Sequence, residues 1–118
     1  MTNQELLGLT QTIGEHKDKF KTASGKYMVI KNIKKMTDAL APYYETLKDI
    51  SEEYDVDLSG NTIPSDAPDE FTMAVNDLLQ EDVNPGLHMI TEKTLKKEEE
   101  KGNDIDFDVL MQLQSIIQ

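Results

Sequence analysis

From Val29 to Tyr54 apolar residues recur in alternating steps of four and three: Val29, Ile33, Met36, Leu40, Tyr43, Leu47, Ile50 and Tyr54. That spacing keeps one stripe of a helix apolar and excludes a strand, whose period is two. A helix from Tyr27 to Tyr54 makes a rod roughly 42 Å long, and the rest of the chain must arrange itself around it. Pro42 lies within the rod. Proline removes the bond to the carbonyl of Asp38 and crowds the preceding turn, so a kink or two abutting helices are expected near Ala41. The stripe could pair with a second chain as a coiled coil or form the spine of the domain's own core. It spans only about three heptads, and the shorter segments need a surface to pack on, which favours the internal spine.

Those shorter segments carry their own signals. Thr2 and Glu5 stand in capping-box spacing, and Leu6, Leu9, Ile13 and Phe20 follow at near-helical intervals. TASG at 22–25 predicts the break after this first helix, with Gly25 in the left-handed conformation that ends helices. Asp66 is placed to cap a further helix with Pro68 in its first turn and Phe71, Ala74, Val75, Leu78 and Leu79 on its apolar face. Val83, Leu87 and Met89 alternate, but Pro85 and Gly86 restrict any strand there to a brief edge piece. Residues 95–101, LKKEEEK, are expected to form a solvated helix end or a charged loop. Leu110, Leu113, Ile116 and Ile117 take helical spacing that should dock into the core. The expected fold is mainly α: a compact bundle of four or five helices around a long, kinked helix, with room for a small β element. It forms a single helical domain over 1–118, with an acidic loop near 55–67.

Charge divides the chain. It holds 12 lysines, no arginine and 23 acids for a net charge of −11. Residues 1–50 sum to +2 and residues 51–118 to −13. Cysteine is absent, which excludes disulfides, thiolate metal sites and cysteine nucleophiles and leans toward the cytosol. No apolar run approaches the ~20 residues of a membrane span, and no apolar signal-peptide core follows Met1. A soluble, intracellular protein with no membrane association is therefore expected.

The stretch most like a chemical motif is DVDLSGNTIPSD at 55–66. Scored as a twelve-residue calcium loop it supplies Asp55, Asp57, Ser59 and Asp66 as oxygen ligands, with Gly60 at the sixth place. The final Asp reaches less far than the usual Glu, Pro64 sits where an exit helix should begin, and no partner loop exists. An acidic turn explains the same residues. Asp104, Asp106 and Asp108 alternate as a solvated face does. His88, between Leu87 and Met89, has no hydroxyl and carboxylate in an interpretable relation to it, and no Gly-rich phosphate loop occurs. A non-enzymatic protein without cofactors is expected. Lys17, Lys19, Lys21, Lys26, Lys31, Lys34 and Lys35, interleaved with Phe20 and Tyr27, make a basic patch. The absence of arginine and the overall charge of −11 argue against nucleic acid as its ligand. An acidic surface, its own or a neighbouring subunit's, fits it better. The acidic half suits imitation of a phosphate backbone in the basic groove of a host nucleic-acid-binding enzyme.

QELLGL at 4–9, SGKYMVIKNIKKM at 24–36, ISEEYDVDLSGN at 50–61, DEFTMAVNDLLQEDV at 69–83 and LHMI at 87–90 together resemble small proteins of unknown function encoded in bacteriophage and prophage genomes. The similarity of segment order covers most of the chain; Pro42 departs from the uninterrupted helix of such proteins. The resemblance implies a phage accessory protein that binds a phage or host protein, as a virion or assembly component or a modulator of a host factor. Its location would then be the host cytoplasm or the virion, with a homo-oligomer among the options. Aromatic side chains near the stripe and the terminal helices, Tyr43, Tyr44, Phe71 and Phe107, are the interface candidates.

Overall fold

A computed structural model describes residues 1–58, 63–102, 111–113 and 116. The chain is mainly helical: α1 Asn3–His16, a 3-10 turn Lys17–Lys19, α2 Ala23–Glu53, α3 Asp69–Leu79 and α4 Glu92–Glu100. α2 has 31 residues, roughly 46 Å at the usual rise, and it sets the long axis of a molecule measuring 53 × 24 × 19 Å.

The apolar stripe is this protein's own spine. Val29, Met36, Leu40 and Tyr43 are buried in one cluster with Leu6, Leu9 and Ile13 of α1. Removing a side chain of that size from water contributes about 1.5–3 kcal/mol. Beyond Tyr43 the stripe is only half covered, and there Tyr54 meets Phe71 of α3 edge to face, centroids 6.2 Å apart. α2 runs through Pro42 as one element, so the alternative of two abutting helices is set aside. The physical reason is position: Pro42 and Asp38 both lie on the exposed side, where water can take the carbonyl that proline leaves unbonded.

α1 begins as its capping box dictates. The Glu5 amide donates to Thr2 Oγ1 at 3.2 Å, and the Thr2 amide donates to Glu5 Oε1 at 3.1 Å. The bond from the Thr2 backbone, and secondarily its hydroxyl, hold the Glu5 carboxyl below its usual range. Four other expectations are corrected. Gly25 is not a helix stop: α1 ends at His16, and Gly25 lies inside α2, whose N-cap is Thr22. α3 starts after Pro68 rather than at a cap by Asp66, and Pro68 offers no capping side chain. Residues 95–100 end α4, with Lys101 as its C-cap, so the helix end and not the charged loop forms, but it is not wholly solvated, because Glu98 is fully buried. Residues 83–89 form no strand; bridge positions stand only on either side of them, at Asp82, paired antiparallel with Thr2, and at Ile90, because Pro85 and Gly86 break any ladder.

Side chains do the work of a ladder over residues 83–90. The fully buried Asn32 of α2 donates from Nδ2 to the His88 carbonyl at 2.9 Å and accepts the His88 amide on Oδ1 at 2.7 Å. Lys35 Nζ donates to the Gly86 carbonyl at 2.8 Å. The terminal residues dock as expected where they are described: Leu113 and Ile116 are buried, and the Ile90 amide donates to the Ile116 carbonyl. Leu110 and Ile117 lie outside the described residues.

Candidate functional site: a lysine-rimmed apolar cleft

α1 stops at His16, the chain makes a 3-10 turn, and Phe20 in extended conformation (φ −91°, ψ 114°) turns into the core before α2 begins. This detour leaves a cleft of about 490 Å³ against the first turns of α2. Buried Phe20 and Val29 form its base, and Ile33 and Ile30 flank it. Ile30 is 70% exposed, a large apolar side chain standing in water. Lys17, Lys21 and Lys26, with Asp18, rim the opening. Among the described residues none of these lysines has a carboxylate in ion-pair contact, whereas Lys96 pairs with Glu92.

One helical turn before Ile30 stands Tyr27, 57% exposed. Its ring takes Lys31 Nζ at 5.4 Å from the centroid and meets the His88 imidazole edge to face at 5.9 Å. Tyr27, Ile30 and Lys34 sit at i, i+3 and i+7, so they share a face. The N-terminal end of α2 thus presents amphipathic side chains ringed by cations.

The cleft is braced from behind by a carboxylate. Glu98 of α4, fully buried, accepts the Lys21 amide on Oε2 at 2.8 Å, and the Thr22 amide and hydroxyl on Oε1 at 2.8 and 2.6 Å. Thr22 Oγ1 in turn accepts the Gly25 amide at 3.0 Å. Of the orphan donors that open α2, the Thr22 amide is taken by this anion and the Gly25 amide by the Thr22 hydroxyl that the anion orients, which places negative charge at the positive end of the dipole. Gly25 is required there: a Cβ would collide with Glu98 Oε1 and lie 3.1 Å from Phe20 Cδ1.

The residues of the candidate calcium loop are not drawn together where they can be seen. Asp55 closes α2. Its amide donates to the Glu52 carbonyl and the Val56 amide to the Ser51 carbonyl, while Asp55 itself adopts φ +53°. This is the paired-bond C-terminal motif whose left-handed position glycine, asparagine or aspartate fills. Asp57 and Asp66 are exposed, and Ser59 lies outside the described residues. Among the described residues no three acidic or histidine side chains are spaced to hold an ion. Asp104, Asp106 and Asp108 also lie outside them.

Of the aromatic interface candidates, Tyr43 and Phe71 belong to the interior, at 8% and 0% exposure. Burial, and secondarily Tyr44, push the Tyr43 phenol above its ordinary value. Tyr44 is 55% exposed and stacks edge to face on Tyr43 at 5.2 Å. Phe107 lies outside the described residues. The aromatic criterion missed Ile30, whose signal was available: it is apolar and falls one place off the stripe that includes Val29 and Ile33. Among the described residues neither histidine bonds a hydroxyl or a carboxylate; His16 Nε2 pairs with Gln112 Oε1 at 2.9 Å. No helix among them is long and apolar enough to cross a membrane. No family model, curated protein or solved structure matches the chain.

Proposed function

We propose that the protein acts by contact, as a non-enzymatic module that binds another protein through the lysine-rimmed cleft at 17–33. The observation that carries this reading is Ile30, an apolar side chain 70% exposed on a well-packed helix beside a cleft whose rim lysines make no ion pair among the described residues. Apolar anchors ringed by charge are how interfaces combine affinity with specificity. In the phage setting that the resemblance implies, such contact serves virion assembly or modulates a host factor. A photo-reactive residue substituted for Ile30 is expected to form a discrete protein adduct in cells producing the protein. The same residue at exposed Thr37 should form none; no adduct at position 30 contradicts the proposal.

A second reading draws on the other end of the molecule, where Asp66, Asp69 and Glu70 are exposed together: acidic mimicry of nucleic acid against a basic host enzyme. Its signature is binding to that enzyme that collapses with added salt and is indifferent to substitution of Ile30.

A further inference from the structure

Resting on the reading of the cleft as a protein-contact site, we propose that its occupant is a second copy of this chain, seated head to tail. The acidic end of one copy enters the lysine-rimmed cleft of the next.

The charges of α2 are arranged against its own stability. Helices gain from acids in the first turn and bases in the last; α2 has neither. It has Lys26 near its start and Glu52 and Glu53 at its finish. Within α2 itself the charges run from lysine in the first turns to carboxylates in the last; the buried Glu98 of α4 offsets the dipole at the first turn, so the positive charge of that end lies in the lysines that rim the cleft. Roughly 46 Å of helix separates the ends, against a screening length of about 8 Å at physiological ionic strength. The lysines of one end cannot be neutralised by the acids at the other end of the same copy. They can be by those of a neighbour, and the net charge of −11 is largely screened over the same distance.

The acidic end carries the apolar counterpart that the cleft requires. The contact between Tyr54 and Phe71 holds the first turn of α3 at the end of α2. Ile63 is 43% exposed and Met73 64% exposed, with exposed Asp66, Asp69 and Glu70 between them in the chain. One end offers Ile30 beside a cleft rimmed by three lysines and Asp18, the other Met73 on the α3 face it shares with Asp69 and Glu70. Two different patches meeting end to end on a rod make a heterologous contact, which grows into open chains wherever the rotation between copies does not close a ring.

Sedimentation of the intact protein tests this. At physiological ionic strength the weight-average mass is expected to rise with concentration above the 13.4 kDa of one copy, without settling at a dimer. High salt should weaken association by about tenfold, the worth of a few exposed ion pairs. Ile30→Glu spoils only the cleft and Met73→Lys only the acidic end; both positions are exposed, so both variants should keep the wild-type circular dichroism. Each alone is expected to stay monomeric, while an equimolar mixture forms a capped dimer of one copy of each. A wild type that remains at 13.4 kDa up to millimolar concentration, or variants that self-associate like the wild type, would overturn the proposal. A position-30 adduct with a different protein would also overturn it while leaving the contact function standing; no adduct at all removes both.

Discussion

At the scale of single residues, Glu98, Gly25 and Thr22 form one unit. A carboxylate buried at the start of α2 takes two amides and a hydroxyl, and the glycine exists because the carboxylate leaves no room for a methyl group. Gly25→Ala is expected to destabilise by about 1–3 kcal/mol, the range for overpacking a filled site. Glu98→Ala, which strands those donors, should cost about 3 kcal/mol. Urea unfolding measures both, and an alanine at 25 that is neutral or stabilising, as at an ordinary helical glycine, would contradict the arrangement. Nothing in LKKEEEK distinguishes the middle Glu from its neighbours, because its role depends on a partner 76 residues away. Asp55 is the opposite case. Its place in an acidic run suggested a metal ligand, whereas the backbone uses it as the left-handed residue that closes α2. Asp55→Gly should therefore stabilise the protein by about 0.5–1 kcal/mol. Chemical denaturation provides the check, and a loss of stability would contradict the capping role.

At the scale of elements, the 3.5-residue periodicity made α2 legible over nearly its whole length, and the capping box fixed the start of α1. The boundaries around them were less so. TASG looked like a stop because serine and glycine favour turns, but the same residues open a helix once Thr22 caps it and Glu98 supplies the anion. Residues 83–90 looked like a strand edge because apolar and polar positions alternate; among the described residues backbone bonds hold only their ends, Val83 to Met1 and Ile90 to Ile116, while Asn32 and Lys35 hold the middle, a side-chain solution that alternation does not reveal. Pro42 tests how well α2 bears an imperfect turn. Pro42→Ala restores a backbone donor on an exposed face and should raise stability by about 1–3 kcal/mol, read as a higher thermal midpoint. An unchanged or lower midpoint would mean that proline at this position serves the fold.

At the scale of the whole molecule, the placement of the candidate site follows from one continuous rod. Because α2 does not fold back at Pro42, its basic first turns and its acidic last turns lie at opposite ends, and the cleft and the acidic tip face away from each other. The lysines in the first turns of α2 and the acids in its last were visible in the sequence; their separation along a single helix was not, since that depends on how Pro42 is accommodated, and neither was the return of α4 from the acidic half to the start of α2. The chain has no cysteine, so two can be introduced as unique sites for spin labels at exposed Lys26 and Glu52. Their distance by pulsed electron paramagnetic resonance, under dilute high-salt conditions that keep copies apart, measures the rod directly. The continuous helix predicts a Cα separation of about 39 Å at the usual rise per residue. A distribution centred below about 25 Å, as two helices folded together at Pro42 would give at ordinary interhelical spacing, would contradict it.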